Sequence, residues 1–342
     1  MSKTNPGRFF EDYTIGQVIE HAVPRTLGAG ERALYHALYP ARHALYSSDE
    51  FARGCGMAAS PLDDLIAFHT VFGKTVPDIS LNALANLGYA EGRWLAPVWP
   101  GDTLRSTSEV IGLKQNSNGK SGVVWVRTRG TNQHGAAVLE YVRWVMVKKR
   151  DADAEAPETV IPDLAPALSA KQLVVPEGLD FSGYDFTLAG EPHRWGDYAV
   201  GEVIDHVDGV TIEEAEHMLA TRLWQNTAKV HFDGTAREGG RLIYGGHVIS
   251  MARALSFNGL ANAQMIVGLN GGAHANPCHA GDTVRAWTGV LDRAETSAPG
   301  VGALRLRLVA TKGGNVGDLK GEDGRYLPGV LLDLDYWALV PM

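Results

Sequence analysis

The chain lacks the features expected of a secreted, membrane-spanning or nucleic-acid-binding protein. It has no run of 18 or more apolar residues, and its first stretch, MSKTNPGRFFEDYT, has no apolar centre like that of a signal peptide. Basic residues are outnumbered, 31 Lys and Arg against 39 Asp and Glu, so the net charge is −8 and no overall positive field would attract nucleic acid or an anionic membrane. We therefore expect a cytoplasmic globular protein with a small-molecule substrate, and its sequence is compatible with a homo-oligomer.

Cysteine is scarce, and metal or cofactor motifs are missing. Cys55 and Cys278 lie far apart and lack the spacing of a metal knuckle or a CxxC redox motif, so we interpret both as reduced, mostly buried thiols. His274 and His279 are close in sequence, but no third metal ligand accompanies them. The glycine-rich stretch 268–274 lacks the strand and helix context of a nucleotide-binding loop. The sequence thus predicts neither a metal nor a cofactor.

The sequence contains an internal duplication. DYTIGQVIEH at 12–21 recurs as DYAVGEVIDH at 197–206, an offset of 185 residues, and PVWPGDTLRS at 97–106 recurs as PCHAGDTVRA at 277–286, an offset of 180. A repeat of this length is a domain rather than a short solenoid unit. A segment rich in Ala, Pro and acidic residues at 150–172 is typical of a linker. The predicted division is an N-terminal domain at 1–149, a linker at 150–192 and a C-terminal domain at 193–342.

Both halves show the same predicted order of elements, ending in strands. The first helices are expected at 30–38 and 212–223. A longer apolar helix follows in each half, starting with Ser60 as N-cap and Pro61 as first helical residue in one half, and after Gly245 in the other. Alternating apolar and polar residues predict the strands 92–99, 102–115, 122–133, 137–149, 281–293, 303–313 and 330–340. The expected class is α+β, with an antiparallel sheet around one helix in each half.

The segment TRLWQNTAKVHFD, residues 221–233, carries the candidate chemistry. It places Asn226 five residues before His231 in a stretch too broken by polar residues to be a buried helix, so we expect a short loop. An imidazole is the side chain best suited to exchange protons near neutral pH. Taken alone, a histidine near an asparagine is more often structural or solvated. The pair is a hypothesis that depends on its surroundings.

These elements together resemble a known family. An opening strand, a polar loop, a glycine-marked helix and a P-x-x-x-G-D-T strand resemble the MaoC-like hydratases and dehydratases, which have the hot-dog fold and act on acyl-CoA thioesters. The duplication resembles their double hot-dog branch, and LYPARHALYSSDEFA, MAASPLDDL, ANLGYAEGRWLAPVWPGDTL and RLIYGGHVISMARALS resemble the mesaconyl-CoA hydratases within it. The resemblance covers both halves of the chain but not the linker between them. It implies two antiparallel sheets, each around a central helix, and reversible hydration of an enoyl-CoA, mesaconyl-CoA in particular.

The resemblance implies that only the second half is catalytic. Family members usually carry D-x-N-P-x-H on the loop, whereas this chain has N-T-A-K-V-H, so His231 matches the pattern and Asn226 departs from it. At the offset of 185, Tyr46 lies opposite His231 and Ala41 opposite Asn226, so the first-half loop has lost both groups. His43 is three residues out of register and is interpreted as structural or pocket-lining.

Further residues enter as substrate contacts implied by the family. Backbone N–H groups at the second central helix would stabilise charge on the thioester oxygen. A free carboxylate on the substrate would need a cation, and the candidates are Lys229, Arg237, Arg241 and Arg93. The predicted substrate-binding residues are Ser60, Pro61, Leu62, Asp63, Asn86, Leu87, Gly88, Tyr89, Pro97, Val98, Trp99, Gly245 and Gly246.

Two other functions stay open. The hot-dog fold also hosts acyl-CoA thioesterases, which commonly place an acid on the central helix, and fold alone does not settle function. Asp63 and Asp64 begin the first central helix, whereas the second has no acid. A non-catalytic acyl-CoA-binding subunit is the other alternative, because Asn226 replaces the usual aspartate.

Overall fold

The computed structural model describes residues 3–313 and 317–342, and within them the backbone forms one antiparallel sheet of ten strands. The strands are β1 Val18–Thr26, β2 Ala83–Trp94, β3 Thr103–Gln115, β4 Ser121–Thr131, β5 Ala137–Lys148, β6 Val203–Thr211, β7 Met265–His274, β8 Thr283–Glu295, β9 Val301–Lys312 and β10 Val330–Pro341. Their order in the sheet is β1-β3-β4-β5-β2-β7-β10-β9-β8-β6. Each half therefore contributes five strands, which follow the same order from the outer edge of the sheet to its centre. The halves meet where β2 pairs with β7.

The helices lie mainly between the first and second strands of each half. They are α1 Ala29–Leu38, α2 Ala44–Ser47, α3 Asp49–Gly54, α4 Asp64–Thr75, α5 Phe186–Ala189, α6 Glu214–Leu223, α7 Lys229–Phe232, α8 Gly245–Leu255 and α9 Phe257–Leu260. Every residue of α4 is buried, and α4 packs on β1, β3 and β5. The helix α8 packs in the same way on β6, β8, β9 and β10. The predicted α+β class, with a sheet around one central helix in each half, is confirmed.

Strand alternation matches the burial of the sheet. In β4, Val124 and Val126 are fully buried, whereas Arg127 and Arg129 are partly or fully exposed. Residues at successive strand positions face opposite sides of a sheet, so the apolar positions pack toward the core and the arginines point away from it. The same alternation in β9 buries its leucines.

The two half-sheets join without a gap. Tyr89 and Ala90 of β2 are paired with Gly272 and Gly271 of β7. A Cβ atom at Gly272 would lie 2.9 Å from the Tyr89 ring, which is closer than real Cβ contacts. Glycine at this position therefore allows the tyrosine ring to cross the junction.

The predicted start of the first central helix was wrong by three residues. The Ser60 hydroxyl donates to Asp49 Oδ1 at 2.6 Å, so this side chain does not cap the helix. Asp63 is the N-cap instead, and its carboxylate accepts a hydrogen bond from the Leu65 N–H at 2.9 Å. Ser60 and Pro61 lie before α4, in a segment without regular secondary structure.

Three other predictions of local structure need correction. The strand expected at 92–99 is β2, which begins nine residues earlier and ends at Trp94. Strand β7 was not predicted, because its glycines lower β propensity. The loop expected at 221–233 contains a single helical turn, α7, that carries His231.

The segment predicted as a linker, 150–192, crosses the outside of the sheet. Its first part is mostly exposed, but Leu179, Phe181 and Tyr184 are buried in a cluster with residues of β7, β9 and β10. Leu168 is held there by the Trp337 indole, which donates to its carbonyl at 3.2 Å. The domain boundaries stay a prediction. None of the helices formed by the described residues has the length and apolar character required to cross a membrane.

Candidate active site

A cavity of about 260 Å³ lies where the two halves meet. Its walls come from α4, β2 and β5 of the first half and from α7, α8 and β7 of the second. Five of the residues predicted from the sequence line it, namely Asn86, Tyr89, Asn226, His231 and Gly245. The structure thus brings the candidate imidazole and amide together with the start of the second central helix.

His231 is held in one tautomer. Its Nδ1 atom lies 2.9 Å from the Leu242 carbonyl oxygen, and because a carbonyl can only accept, Nδ1 carries the proton. In the neutral ring, Nε2 is then the basic nitrogen. Burial lowers the pKa of His231, while the bond to Leu242 opposes that shift. The ring is therefore neutral at physiological pH and can accept a proton.

Asn226 is almost fully buried, with 2% of its surface exposed. Its Oδ1 accepts a hydrogen bond of 3.3 Å from the Ala228 N–H, just before α7 begins. The amide nitrogen is the remaining polar atom, and an amide nitrogen can only donate. Asn226 can thus hold an oxygen atom in the cavity, but it cannot remove a proton.

The start of α8 provides hydrogen-bond donors beside the imidazole. The first N–H groups of a helix have no partner within it, and the positive end of the helix dipole lies there. Gly245, the first residue of α8, lines the cavity. A Cβ at Gly245 would lie 2.4 Å from the His274 ring, and one at Gly246 would lie 2.4 Å from the Tyr244 ring. Both glycines are therefore required by rings packed against the helix start.

His274 lines the same cavity and is neutral. Its Nε2 lies within hydrogen-bond distance of the Tyr89 hydroxyl, 3.1 Å across the β2–β7 junction. Burial lowers the pKa of His274 to about 4. The cavity therefore contains two neutral imidazoles, of which only His231 was predicted as a site residue.

The equivalent place in the first half is closed. Helix α2 lies 185 residues before α7, and Tyr46 occupies the position that His231 has in the second half. The Tyr46 hydroxyl contacts Asp64 Oδ2, which also accepts from the Ile266 N–H at 2.6 Å. The space beside Asp64 measures only about 10 Å³. Burial and the neighbouring Asp63 raise the pKa of Asp64 to about 8.

Other predicted substrate contacts lie outside the cavity. The segments 60–63 and 97–99 adjoin each other, with the Leu62 N–H donating to the Val98 carbonyl at 2.8 Å. This is the first-half copy of the bond between Ile243 and Cys278, which do line the cavity. Leu87 faces an outer groove, and Gly88 lies beneath the Trp144 ring. A substrate role for Ser60, Pro61, Leu62, Asp63, Leu87, Gly88, Pro97, Val98, Trp99 and Gly246 stays a prediction.

The cations predicted to recognise a carboxylate do not line the cavity. Arg93 is paired with Glu140 at 3.1 Å, and Arg241 is paired with Glu214 at 3.0 Å. Lys229 and Arg237 are exposed. His43, interpreted as structural or pocket-lining, is buried against Phe257 and belongs to no wall of the cavity.

Several residues of this cavity were not predicted from the sequence as site residues. His274 had been considered only as a metal ligand, and across the described parts of the chain no three His, Cys, Asp or Glu side chains are grouped to hold a metal ion. Tyr244 could have been found, since it directly precedes the glycine pair. Arg143 could not, because strand alternation does not reveal which face of a strand buried on both sides meets a cavity.

Solved structures with the same architecture place the chain in a class. The structure of a MaoC domain protein dehydratase from Chloroflexus aurantiacus matches with a TM-score of 0.96 and 55% identity, over 100% of this chain and 99% of that one. A Mycobacterium tuberculosis protein described as having a double hotdog fold matches with a TM-score of 0.76 and 25% identity, over 97% and 98%. The chain is a double hot-dog protein of the MaoC-like class.

Comparison of the sequence gives the particular family. The family model described as mesaconyl-CoA hydratase matches residues 2–316. A Cereibacter sphaeroides protein named mesaconyl-CoA hydratase is 77% identical over 341 residues, 99% of each chain. A Chloroflexus aurantiacus protein named beta-methylmalyl-CoA dehydratase is 56% identical over 349 residues, again 99% of each. The chain belongs to the mesaconyl-CoA hydratase family, and the predicted resemblance and the prediction of a hydro-lyase are confirmed.

Proposed function

We propose that this enzyme adds water reversibly across the double bond of mesaconyl-CoA to give β-methylmalyl-CoA, with His231 as the group that moves the proton. The observation that carries the catalytic assignment is the fixed tautomer of His231, whose Nδ1 is engaged by Leu242 in a cavity that also contains Asn226 and the start of α8. Membership of the family supports the substrate.

The residues divide the reaction between them. The Nε2 atom of His231 takes one proton from water as the water oxygen bonds to the carbon farther from the thioester. The same imidazolium then gives the proton to the carbon next to the thioester, so one water molecule is added and the ring returns to its neutral form. Asn226 donates to the water oxygen and holds it beside the ring.

Negative charge builds on the thioester oxygen during this step. The N–H groups of Gly245 and Gly246 start a helix of eleven residues and are the donors that we assign to that oxygen. Removing one such donor typically lowers the rate by about 10²- to 10³-fold. Backbone donors of this kind cannot be deleted by a side-chain substitution.

The test is incubation of the pure enzyme with mesaconyl-CoA while the absorbance of the enoyl thioester is followed. Loss of this absorbance without release of free thiol supports hydration. Release of CoA, detected with a thiol reagent, would instead show hydrolysis, and binding without turnover would show a non-catalytic subunit. The buried position of Asp64, away from His231, gives hydrolysis no comparable catalytic acid.

We also propose a cytoplasmic location and assembly as a homo-oligomer. Both cysteines are buried and unpaired, as expected in a reducing compartment. Light scattering coupled to size-exclusion chromatography measures the assembly. A mass equal to one chain would contradict it.

A further inference from the structure

Arg143 on β5 is a fully buried guanidinium in the wall of the active-site cavity. No other Lys or Arg in the described part of the chain lines this cavity. Its Nη2 donates to Thr75 Oγ1 at 2.7 Å and to Ser80 Oγ at 3.5 Å, at the end of α4 and in the π-helical turn that follows. The arginine is thus held by two neutral hydroxyls.

The guanidinium has no anionic partner among the residues that the structure describes. Within residues 3–313 and 317–342, no carboxylate lies within 4.0 Å of it, and its Nε and Nη1 atoms have no hydrogen-bond partner. Burying a cation without an acceptor is costly, and buried charges are normally paired. Desolvation lowers the pKa of Arg143, which expresses the same cost.

Nearby aromatic groups compensate this charge in part. The guanidinium carbon lies 4.2 Å from the centre of the Phe72 ring. The side chains of Tyr141, Tyr89, Tyr13 and Tyr244 oppose the lowering of the pKa of Arg143 by desolvation. The negative end of the α4 dipole acts in the same direction. None of these groups provides an acceptor for Nε or Nη1.

A second unpaired polar group lies in the same wall. Asn86 on β2 has buried Oδ1 and Nδ2 atoms, and neither has a hydrogen-bond partner in the described parts of the chain. β2 and β5 are neighbours, with Asn86 paired to Val145 and Tyr89 paired to Arg143. An unpaired amide and an unpaired guanidinium on adjacent strands together form a site for an acceptor group with several oxygens.

We propose that Arg143, with Asn86 beside it, binds the free carboxylate of the substrate and so selects carboxylated enoyl-CoA thioesters over neutral ones. Mesaconyl-CoA is a thioester of methylfumaric acid, so a carboxylate stands across the double bond from the thioester. The carboxylate supplies the oxygens that Nε and Nη1 lack. This assignment rests on the proposed function and replaces the four cations predicted from the sequence.

The test compares mesaconyl-CoA with 2-methylcrotonyl-CoA, which has a methyl group in place of the free carboxylate. For Arg143→Met we expect kcat/KM with mesaconyl-CoA to fall about 30- to 4,000-fold, since truncating one partner of a buried charge pair costs about 2–5 kcal/mol and each 1.4 kcal/mol is tenfold. With 2-methylcrotonyl-CoA it should change by less than about threefold. A merely structural arginine would lower both values alike.

Two further variants keep the test decisive. Arg143→Lys keeps the charge but loses the planar fork, and should still reduce the preference about tenfold if Arg143→Met does not fold. Arg127→Met is the control, because Arg127 lies on the neighbouring strand β4, is partly exposed, and pairs with Glu91 at 2.8 Å outside the cavity. It should leave the preference unchanged.

If 2-methylcrotonyl-CoA is turned over too slowly for kcat/KM to be measured, the two kinds of substrate can still be compared by binding. Calorimetry then gives the dissociation constants of the saturated analogues methylsuccinyl-CoA and 2-methylbutyryl-CoA, whose ratio should fall by a similar factor in the Arg143 variants. If Arg143→Met and Arg143→Lys both leave the preference for the carboxylated substrate unchanged, the inference is overturned and Arg143 is a structural cation. Failure of the wild-type enzyme to hydrate mesaconyl-CoA would instead overturn the proposed function.

Discussion

Acid should destabilise this fold through four histidines that have no exposed surface, His69, His206, His217 and His247. Burial is the main cause that lowers the pKa of His69 and His217 to about 3 and that of His206 and His247 to about 4. These rings are therefore neutral in the folded protein at pH 5. In the unfolded chain they bind protons below the ordinary pKa of about 6.5. The unfolded state then binds more protons, so stability falls as the pH falls from 6.5 toward 4.

The magnitude follows from the size of the shifts. One pKa unit corresponds to about 1.36 kcal/mol, so each histidine removes about 2 kcal/mol of unfolding free energy at pH 5 and the four remove about 8 kcal/mol. Asp64 acts in the opposite direction, because its raised pKa keeps it protonated in the fold while the unfolded carboxyl ionises. Asp64 therefore adds about 2–3 kcal/mol to the unfolding free energy as the pH falls from 7 to 5. The net loss is about 5 kcal/mol, comparable with the whole stability of a marginal domain.

Equilibrium urea unfolding at pH 7 and pH 5 measures this loss. In His206→Gln the difference between the two pH values should shrink by about 2 kcal/mol, because one titrating ring is gone. His134→Gln is the control, since His134 is exposed on the turn between β4 and β5. Equal unfolding free energies at the two pH values, or an unaltered difference in His206→Gln, would refute the reasoning.

Three further predictions concern the active site and the junction of the halves. In steady-state kinetics, His231→Ala should lower kcat about 10²- to 10⁴-fold and Asn226→Ala about 10²- to 10³-fold, while Asn226→Asp keeps measurable activity; normal turnover by His231→Ala would place the chemistry elsewhere. The pH profile of kcat/KM for hydration should fall toward acid with a midpoint below 6.5, because burial lowers the pKa of the base His231; a midpoint above that value would contradict this. Gly73→Ala should lower the unfolding free energy, measured by urea denaturation, by at least about 1–3 kcal/mol, because its Cβ would lie 1.7 Å from the Trp224 carbonyl oxygen. Gly30→Ala is the control, because a Cβ there meets open space and should cause no such loss.

The sequence predicted the elements whose patterns are local. Alternation located most strands of the sheet, and the first helices of both halves lie within two residues of their predicted bounds. The duplication placed Tyr46 opposite His231, and α2 and α7 have that offset in the structure. The family pattern brought His231 and Asn226 into one cavity. Each of these inferences needed only neighbouring residues or a copy of the same motif.

Features that depend on distant partners were not predictable. Ser60 reads as a helix cap until its hydroxyl is seen to bond Asp49. The glycines of β7 weaken its strand pattern, yet a side chain at Gly272 would collide with the Tyr89 ring of the other half. Arg143 stands among valines and a tryptophan, and nothing local distinguishes it from an outward-facing arginine. Which side chains share a cavity is decided by the pairing of strands far apart in sequence.

The pairing of β2 with β7 has a consequence for how this protein could diverge. In a homodimer of two identical hot-dog subunits, the two-fold axis repeats every substitution on both sides of the interface. Covalent fusion removes that constraint. Arg143 is paired with Tyr89 in the first half, and at the corresponding place in the second half Tyr336 is paired with Leu269. The counterpart of the Arg143 cation is therefore the phenol of Tyr336. One wall could acquire an anion receptor and the opposite wall an acid–base group, each without its duplicate, and the surplus site could close.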